Sequence, residues 1–118
     1  MSRKIFVSYA PRDRSWVPQV LDQLKEQKLL SADDNVFLDH QDFSAGDSFR
    51  DAARAAIAAA DTVVVLWSPA AAESKWVNYE LAMADALGKH LLVVSPRGSR
   101  TDLPIDMRSV EMLELAAG

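Results

Sequence analysis

The sequence contains no cysteine, and glycine is scarce, with four residues in 118. Without thiols the chain has no disulfide, no thiolate metal site and no cysteine nucleophile. The glycines fall at positions 46, 88, 98 and 118, so none forms the Gly-x-Gly-x-x-Gly turn of a dinucleotide-binding oxidoreductase. The Gly-x-Ser-x-Gly elbow of a serine hydrolase is also missing. Oxidoreductase and serine or cysteine hydrolase activities are therefore disfavoured.

Long apolar runs and a surplus of basic residues are absent as well. No stretch approaches the ~18 apolar residues of a membrane-spanning helix, and the apolar stretch near the N-terminus is too short for a signal peptide. The formal net charge is −4 and the pI is about 5.0, whereas nucleic-acid-binding surfaces usually show a basic excess. We therefore expect a cytoplasmic protein that binds neither a membrane nor, directly, nucleic acid.

Histidine occurs only as His40 and His90, which are far apart and lack the spacing of metal ligands. His40 lies between Asp39 and Asp42, so a metal site in this segment is one interpretation. Polar loop residues are the commoner explanation of such a cluster. We predict no metal and no cofactor.

The length and composition suit one globular domain over residues 1–118. Hydrophobic residues make up 49% of the chain and charged residues 25%, as in ordinary soluble domains. Five short runs rich in β-branched and aromatic residues predict strands. They are Ile5–Tyr9, Val36–Asp39, Thr62–Trp67, His90–Val94 and Met112–Leu115.

Apolar residues recur at three- and four-residue spacing between these runs and predict helices. The first stripe extends from Trp16 to Leu24, with Asp13 or Ser15 as the expected cap, and the second occupies residues 49–60. The third covers residues 74–87 and stops at Gly88. Strands that alternate with helices predict a parallel sheet. Its ligands bind beyond the carboxyl ends of the strands, in the loops after Tyr9, Asp39 and Trp67.

The segment from residue 95 to 110 shows no clear amphipathic helix, and the chain ends just after the fifth predicted strand. We therefore expect the last helices of the fold to be reduced or absent. One face of the sheet would then be poorly covered. This predicts that the chain is the effector part of a larger protein, or that it associates with copies of itself.

Glu80 lies within the apolar arc of the third predicted helix. With Trp76 at zero on a helical projection, Glu80 falls near ~40° and Ala84 near ~80°, on the side that faces the sheet. An ionised carboxylate in that position is costly without partners, and perturbed carboxylates cluster at functional sites. One interpretation is a catalytic group. The other is a carboxylate that caps or pairs with a neighbouring loop, for example through Arg12 or Lys75.

Three segments, in order along the chain, resemble the Toll/interleukin-1 receptor (TIR) domain family. Phe6-Val7-Ser8-Tyr9 followed by Asp13 is similar to its first sequence box. The stretch 38–46, Leu-Asp-His-Gln-Asp-Phe-Ser-Ala-Gly, resembles the second box. The run Leu66-Trp67-Ser68 and the pattern Ser74-x-Trp76-x-x-x-Glu80 resemble the third strand and the following helix. Ala45 replaces a proline common in the family, and Val77 replaces a frequent cysteine.

The resemblance implies an α/β, flavodoxin-like three-layer sandwich whose five parallel strands have the order 2-1-3-4-5. It also implies one of two functions. Some members of the family cleave NAD⁺ to nicotinamide and ADP-ribose or a cyclic ADP-ribose, often in bacterial antiviral defence, and use the glutamate that corresponds to Glu80. Others are non-catalytic adaptors that signal through homotypic TIR–TIR contacts. NAD⁺ is then a substrate, and the expected partners are further TIR domains, including filaments, and a regulatory or sensor domain or subunit.

For the enzymatic alternative we predict that two loops, Ala10–Asp13 and His40–Gly46, close over NAD⁺ around Glu80. Aromatic rings can stack on the ligand, Arg12 can meet its diphosphate, and Gly46 gives its loop freedom to move. The structural alternatives are that Arg12 and Asp13 pair with each other, that Ser68 forms part of a turn, and that Trp76 packs in the core. The predicted substrate-binding residues are Tyr9, Ala10, Arg12, Asp42, Phe43, Gly46, Ser68 and Trp76.

Overall fold

The computed structural model describes the backbone of residues 3–38, 47–95 and 110–114, and the side chains of residues 3–38 and 51–95. The strands are β1 (Lys4–Ser8), β2 (Asn35–Leu38), β3 (Thr62–Leu66), β4 (His90–Ser95) and β5 (Val110–Glu114). A 3-10 helix (Pro11–Trp16) precedes α1 (Val17–Glu26), and the remaining helices are α2 (Asp47–Ala59), α3 (Pro69–Glu73) and α4 (Lys75–Ala86).

The strands form one parallel sheet with the order β2-β1-β3-β4-β5. Ser8 at the end of β1 lies opposite Val65 of β3, and Val65 lies opposite Val93 of β4. The carboxyl ends of neighbouring strands therefore meet at one edge of the sheet. The predicted α/β fold and its strand order are confirmed.

Helices cover both faces of this sheet, which gives the three layers predicted from the sequence. On one face Ile57 of α2 and Leu81 of α4 pack with Phe6, Val65 and Val93, among others. On the opposite face the core holds the apolar residues of α1, which are Val17, Val20 and Leu24. Every residue of β3 is buried, as predicted for a central strand covered on both faces.

The entry to α1 differs from the prediction. A 3-10 helix occupies Pro11–Trp16, and α1 then begins with Trp16 as its N-cap, which contributes no side-chain hydrogen bond. The expected cap at Asp13 or Ser15 is therefore wrong. The carboxylate of Asp13 accepts a hydrogen bond from the Ser68 hydroxyl instead, so it is turned toward the end of β3.

Some predictions concern residues outside the described ranges. These are the loop from His40 to Gly46 and the reduced helices expected after β4 and β5. In the ranges that are described, no helix is long and apolar enough to cross a membrane.

Candidate functional site

Helix α4 carries Glu80 into the interior of the protein. The helix begins after Ser74, whose side chain accepts a hydrogen bond from the Val77 backbone N–H at 3.2 Å. The buried residues of α4 are Trp76, Val77, Glu80, Leu81 and Ala84, so Trp76, Glu80 and Ala84 share the buried side of the helix as predicted. Glu80 has 0% exposure, so the prediction that its side chain faces the sheet is confirmed.

Ser8 contacts the Glu80 carboxylate from the end of β1. Its hydroxyl Oγ donates a hydrogen bond to Oε1 of Glu80 at 2.6 Å, and Ser8 is itself fully buried. Such a short hydroxyl–carboxylate contact is typical of a charge-assisted hydrogen bond. The carboxylate thus lies at the edge of the sheet where the strands of a parallel α/β fold bind ligands.

Trp76 lies one helical turn before Glu80 on the same side of α4. Its indole is mostly buried, and its ring stacks at a tilt on Tyr79, with 5.6 Å between ring centroids and an interplanar angle of 32°. Trp76 is therefore the aromatic residue of α4 that shares a buried side of the helix with Glu80. A contact between Trp76 and a ligand stays a prediction.

Asp13 and Ser68 join the loop after β1 to the loop after β3. The Ser68 hydroxyl donates to an Asp13 carboxylate oxygen and accepts a hydrogen bond from the Ala71 backbone N–H at 3.0 Å. The second contact makes Ser68 the N-cap of α3. This gives Ser68 a structural role, and its predicted contact with substrate is untested. Arg12, beside Asp13, is exposed at the same edge of the sheet.

Tyr9 and Ala10 follow Ser8 but point to opposite faces of the sheet. The Tyr9 side chain is buried among the core residues that pack with α1, on the face opposite to Glu80. Ala10 is buried in the core cluster that contains the apolar residues of α4. The structure therefore brings Ala10, but not the ring of Tyr9, to the side of the sheet that holds Glu80. The predicted site residues Asp42, Phe43 and Gly46 lie outside the described residues.

One polar residue at this edge was not singled out from the sequence. Ser95 ends β4, is 7% exposed, and its hydroxyl has no hydrogen-bond partner within the described part of the chain. The signal that could have found it is a serine that closes an apolar strand. Ser8 shows the same pattern on β1, and Ser68 shows it just after β3.

A separate cavity of about 270 Å³ lies between β1, β2 and the second half of α2. Its walls include the rings of Phe6 and Phe37, which stack with centroids 5.5 Å apart, and alanines of α2. Neither Ser8 nor Glu80 lines it. Apart from Lys4 and Asn35 its lining is apolar, and it does not include the buried carboxylate, so it is not the candidate site.

The candidate site therefore consists of a buried carboxylate, a hydroxyl that donates to one of its oxygens, and the ring of Trp76 one turn away on the same helix. A carboxylate in a water-poor site can stabilise positive charge that develops on a nearby carbon, or attack that carbon. In the part of the chain described here, no cluster of three or more histidine and carboxylate side chains could hold a metal ion.

Comparisons with known proteins agree with this architecture. A sequence-family model described as TIR domain matches residues 5–117. A search of curated proteins finds no match. Among solved structures, the TIR domain of the Toll-related receptor TRR-2 from Hydra magnipapillata is similar, with a TM-score of 0.66 and 19% identity. The similarity covers 96% of this chain and 84% of that one.

Two further similar structures are enzymes. The CMP N-glycosidase BcmB from Clostridium botulinum has a TM-score of 0.64 and 15% identity, with 95% of this chain and 88% of that chain covered. A 2-desoxiribosyltransferase from Leishmania mexicana has a TM-score of 0.58 and 22% identity, with 79% and 64% covered. At such identities the likeness shows the shared fold alone.

The TIR domains of an assembly are also similar. The structure of the activated Roq1 resistosome, which directly recognises the pathogen effector XopQ, matches through its TIR domains with a TM-score of 0.59 and 22% identity. The match covers 81% of this chain and 58% of that chain.

Proposed function

Because this chain belongs to the TIR domain family, we propose that it is an enzyme that cleaves NAD⁺ and that Glu80 is its catalytic carboxylate. The products are nicotinamide and either ADP-ribose or a cyclic ADP-ribose. The observation that carries the proposal is a fully buried glutamate, held by Ser8 at the carboxyl edge of the sheet. We further propose that the activity serves bacterial immune defence in the cytoplasm and is activated by self-association.

Two enzymes with a similar fold support a reaction of this chain at the bond between a sugar and a base. One is an N-glycosidase and the other transfers a deoxyribosyl group, and both share this fold. A fold that accommodates such reactions in two enzymes makes the same class of reaction reasonable here, although the fold alone does not assign a function. The assignment to this chain depends on the position of Glu80.

The chemistry of NAD⁺ suits a single carboxylate. Nicotinamide is a cationic pyridinium in NAD⁺ and leaves as a neutral molecule, so no general acid has to protonate it. Most glycosidases, by contrast, need two carboxyl groups. As the bond from the ribose carbon to the pyridinium nitrogen breaks, its electron pair goes to nicotinamide and positive charge develops on the sugar. The Glu80 carboxylate can stabilise that charge directly or as a covalent ester.

The second reactant decides the product. In hydrolysis, the oxygen of water bonds to the ribose carbon, one proton is released, and ADP-ribose forms. In cyclisation, a nitrogen of the adenine of the same molecule takes the place of water. We propose that Trp76 and the exposed Arg12 help to bind the nicotinamide and diphosphate parts of the substrate.

A scaffold function is the second candidate. The likeness to the TIR domains of a resistosome favours it, since those domains belong to an assembly. A scaffold, however, has no need of a fully buried glutamate on the apolar side of α4. Burial of a carboxylate away from water costs several kcal/mol per ion, and a docking module gains nothing from it.

The test is release of nicotinamide from NAD⁺ by the purified protein, dilute and under crowding, followed by chromatography. Glu80→Gln keeps the size of the side chain but removes its charge, so we expect turnover to fall to background. Glu73→Gln is the matched control, because Glu73 is an exposed carboxylate on α3. That variant should retain wild-type turnover.

Thermal unfolding of the same variants separates loss of function from loss of fold. Since Glu80→Gln removes a buried charge, its Tm should equal or exceed that of the wild type. Nicotinamide release by a folded Glu80→Gln protein would refute the catalytic assignment. Wild-type protein that self-associates but releases no nicotinamide would favour the scaffold.

A further inference from the structure

The position of the Ser8 hydroxyl is set by the sheet. Ser8 is the last residue of β1, which lies between β2 and β3, and it is in register with Val65. A serine side chain has one torsion angle between the backbone and Oγ, so a fixed backbone and a staggered rotamer fix the oxygen. The hydroxyl is therefore a rigid reference point at the edge of the sheet.

Glu80 has more side-chain torsions than Ser8. Its carboxylate is separated from the α4 backbone by three side-chain torsions, and glutamate loses much rotamer freedom when it is ordered. The hydrogen bond of 2.6 Å from Ser8 Oγ joins the carboxylate to a residue 72 positions away in the sequence, on a different element. The contact therefore sets where the carboxylate points relative to the strand ends.

We propose that Ser8 is the positioning residue of the catalytic carboxylate. Its hydroxyl selects the conformation of Glu80 in which Oε1 is held by β1 and the carboxylate is directed toward the sugar of the substrate. A carboxylate has roughly four lone-pair positions, so the bond from Ser8 uses only part of its capacity to accept hydrogen bonds. This inference rests on the proposed function, and Ser8 acts through Glu80 rather than on NAD⁺.

The kinetic consequence is specific. A residue that orients the reacting group without touching the substrate changes the chemical step more than binding, so kcat should fall while KM stays constant. Misplacement of a catalytic group by about 1 Å can cost on the order of 100-fold in rate. We expect Ser8→Ala to lower kcat by roughly 10- to 100-fold and Ser8→Thr, which keeps the hydroxyl, to recover most of it.

Thr62→Val is the matched control. Thr62 is also a buried hydroxyl residue of a strand, but it begins β3 at the opposite end of the sheet. This variant loses a buried hydroxyl in the sheet, as Ser8→Ala does, and should keep wild-type kcat. Circular dichroism and thermal unfolding of each variant show that the fold is retained.

Crystal structures of the wild type and Ser8→Ala test the inference without relying on activity. We expect the Glu80 side chain to change conformation or spread over several rotamers in Ser8→Ala, and to stay in place in Ser8→Thr. An unmoved Glu80 in Ser8→Ala would overturn the proposal. If the wild type releases no nicotinamide, the proposed function fails, while the comparison of Glu80 conformations still decides whether Ser8 positions the carboxylate.

Discussion

Among single residues, Asp34 shows how this fold stabilises a charge at the end of the sheet opposite to Glu80. Its carboxylate accepts hydrogen bonds from the Ser31 N–H at 2.8 Å, the Arg3 N–H at 3.2 Å and the Arg3 guanidinium at 3.1 Å. The Ser31 N–H contributes most to lowering the pKa of Asp34 below its ordinary value of 3.8. Arg3 adds to this effect through its two hydrogen bonds and its charge, while burial opposes it.

A lowered pKa in the folded state means that the folded protein binds protons less readily at Asp34 than the unfolded chain does. The resulting stability is fully present above pH 3.8 and is lost as the pH falls through the lower folded-state value. We expect Asp34→Ala to lower the free energy of unfolding by about 1–2 kcal/mol at pH 7. Urea titrations of both proteins at several pH values should show this deficit shrinking below pH 3.8.

Asp33→Ala is the control for that experiment, since Asp33 is an exposed neighbour in the same turn. This variant should change the free energy of unfolding little at any of these pH values. If the loss of unfolding free energy in Asp34→Ala stayed constant down to the lowest accessible pH, the charge of the Asp34 carboxylate would contribute nothing to stability.

Two helices end in the same backbone motif but with different residues. After α4, the Gly88 N–H bonds to the Asp85 carbonyl and the Lys89 N–H bonds to the Ala84 carbonyl, both at 3.0 Å. Gly88 has a φ of 70°, which glycine adopts without strain. This is the Schellman motif, and the predicted stop at Gly88 is confirmed.

After α1, Lys28 occupies the position that corresponds to Gly88. The Lys28 N–H bonds to the Lys25 carbonyl at 3.0 Å, the Leu29 N–H bonds to the Leu24 carbonyl at 2.9 Å, and Lys28 has a φ of 61°. A left-handed conformation costs a residue with a Cβ roughly 1–2 kcal/mol. Lys28→Gly should therefore raise the free energy of unfolding by about 1 kcal/mol.

Lys25→Gly is the matched control, because Lys25 is an exposed lysine inside α1 and the change in charge is the same. Glycine inside a helix should lower stability by about 1 kcal/mol. Chemical denaturation of both variants measures the two opposite shifts. Destabilisation by Lys28→Gly would show that the strain at this position is relieved in another way.

A structural feature can be predicted from the sequence when the contacts that produce it lie within one helix or strand. The periodicity of α4 predicts the position of Glu80, and an unbroken apolar run predicts β3, because both signals lie within one element. The bond from Ser8 to Glu80 spans 72 residues and that from Ser68 to Asp13 spans 55, so no local pattern reports them. The short helix α3 was missed for a related reason, since Ser68-Pro69 suggests a chain break as readily as a capped helix start.

At the scale of the whole molecule, the candidate site is closed. Glu80 and Ser8 both have 0% exposure in the single chain, so no ribose can reach the carboxylate until neighbouring groups move. An active enzyme therefore needs a second conformation in which Glu80 is accessible. Any binding event that favours this conformation increases its population by mass action.

A second copy of the chain can act as such a ligand, and we predict that turnover requires self-association. If the open conformation is populated chiefly in the assembly, nicotinamide release per molecule of protein should rise steeply with protein concentration. It should then level off once assembly is complete. Turnover is measured across a dilution series, while sedimentation reports the fraction assembled at each concentration. The two curves should coincide, because the dilute chain keeps Glu80 buried. A preparation shown by sedimentation to be monomeric, yet turning over NAD⁺ at the plateau rate, would mean that the chain opens its site without a partner.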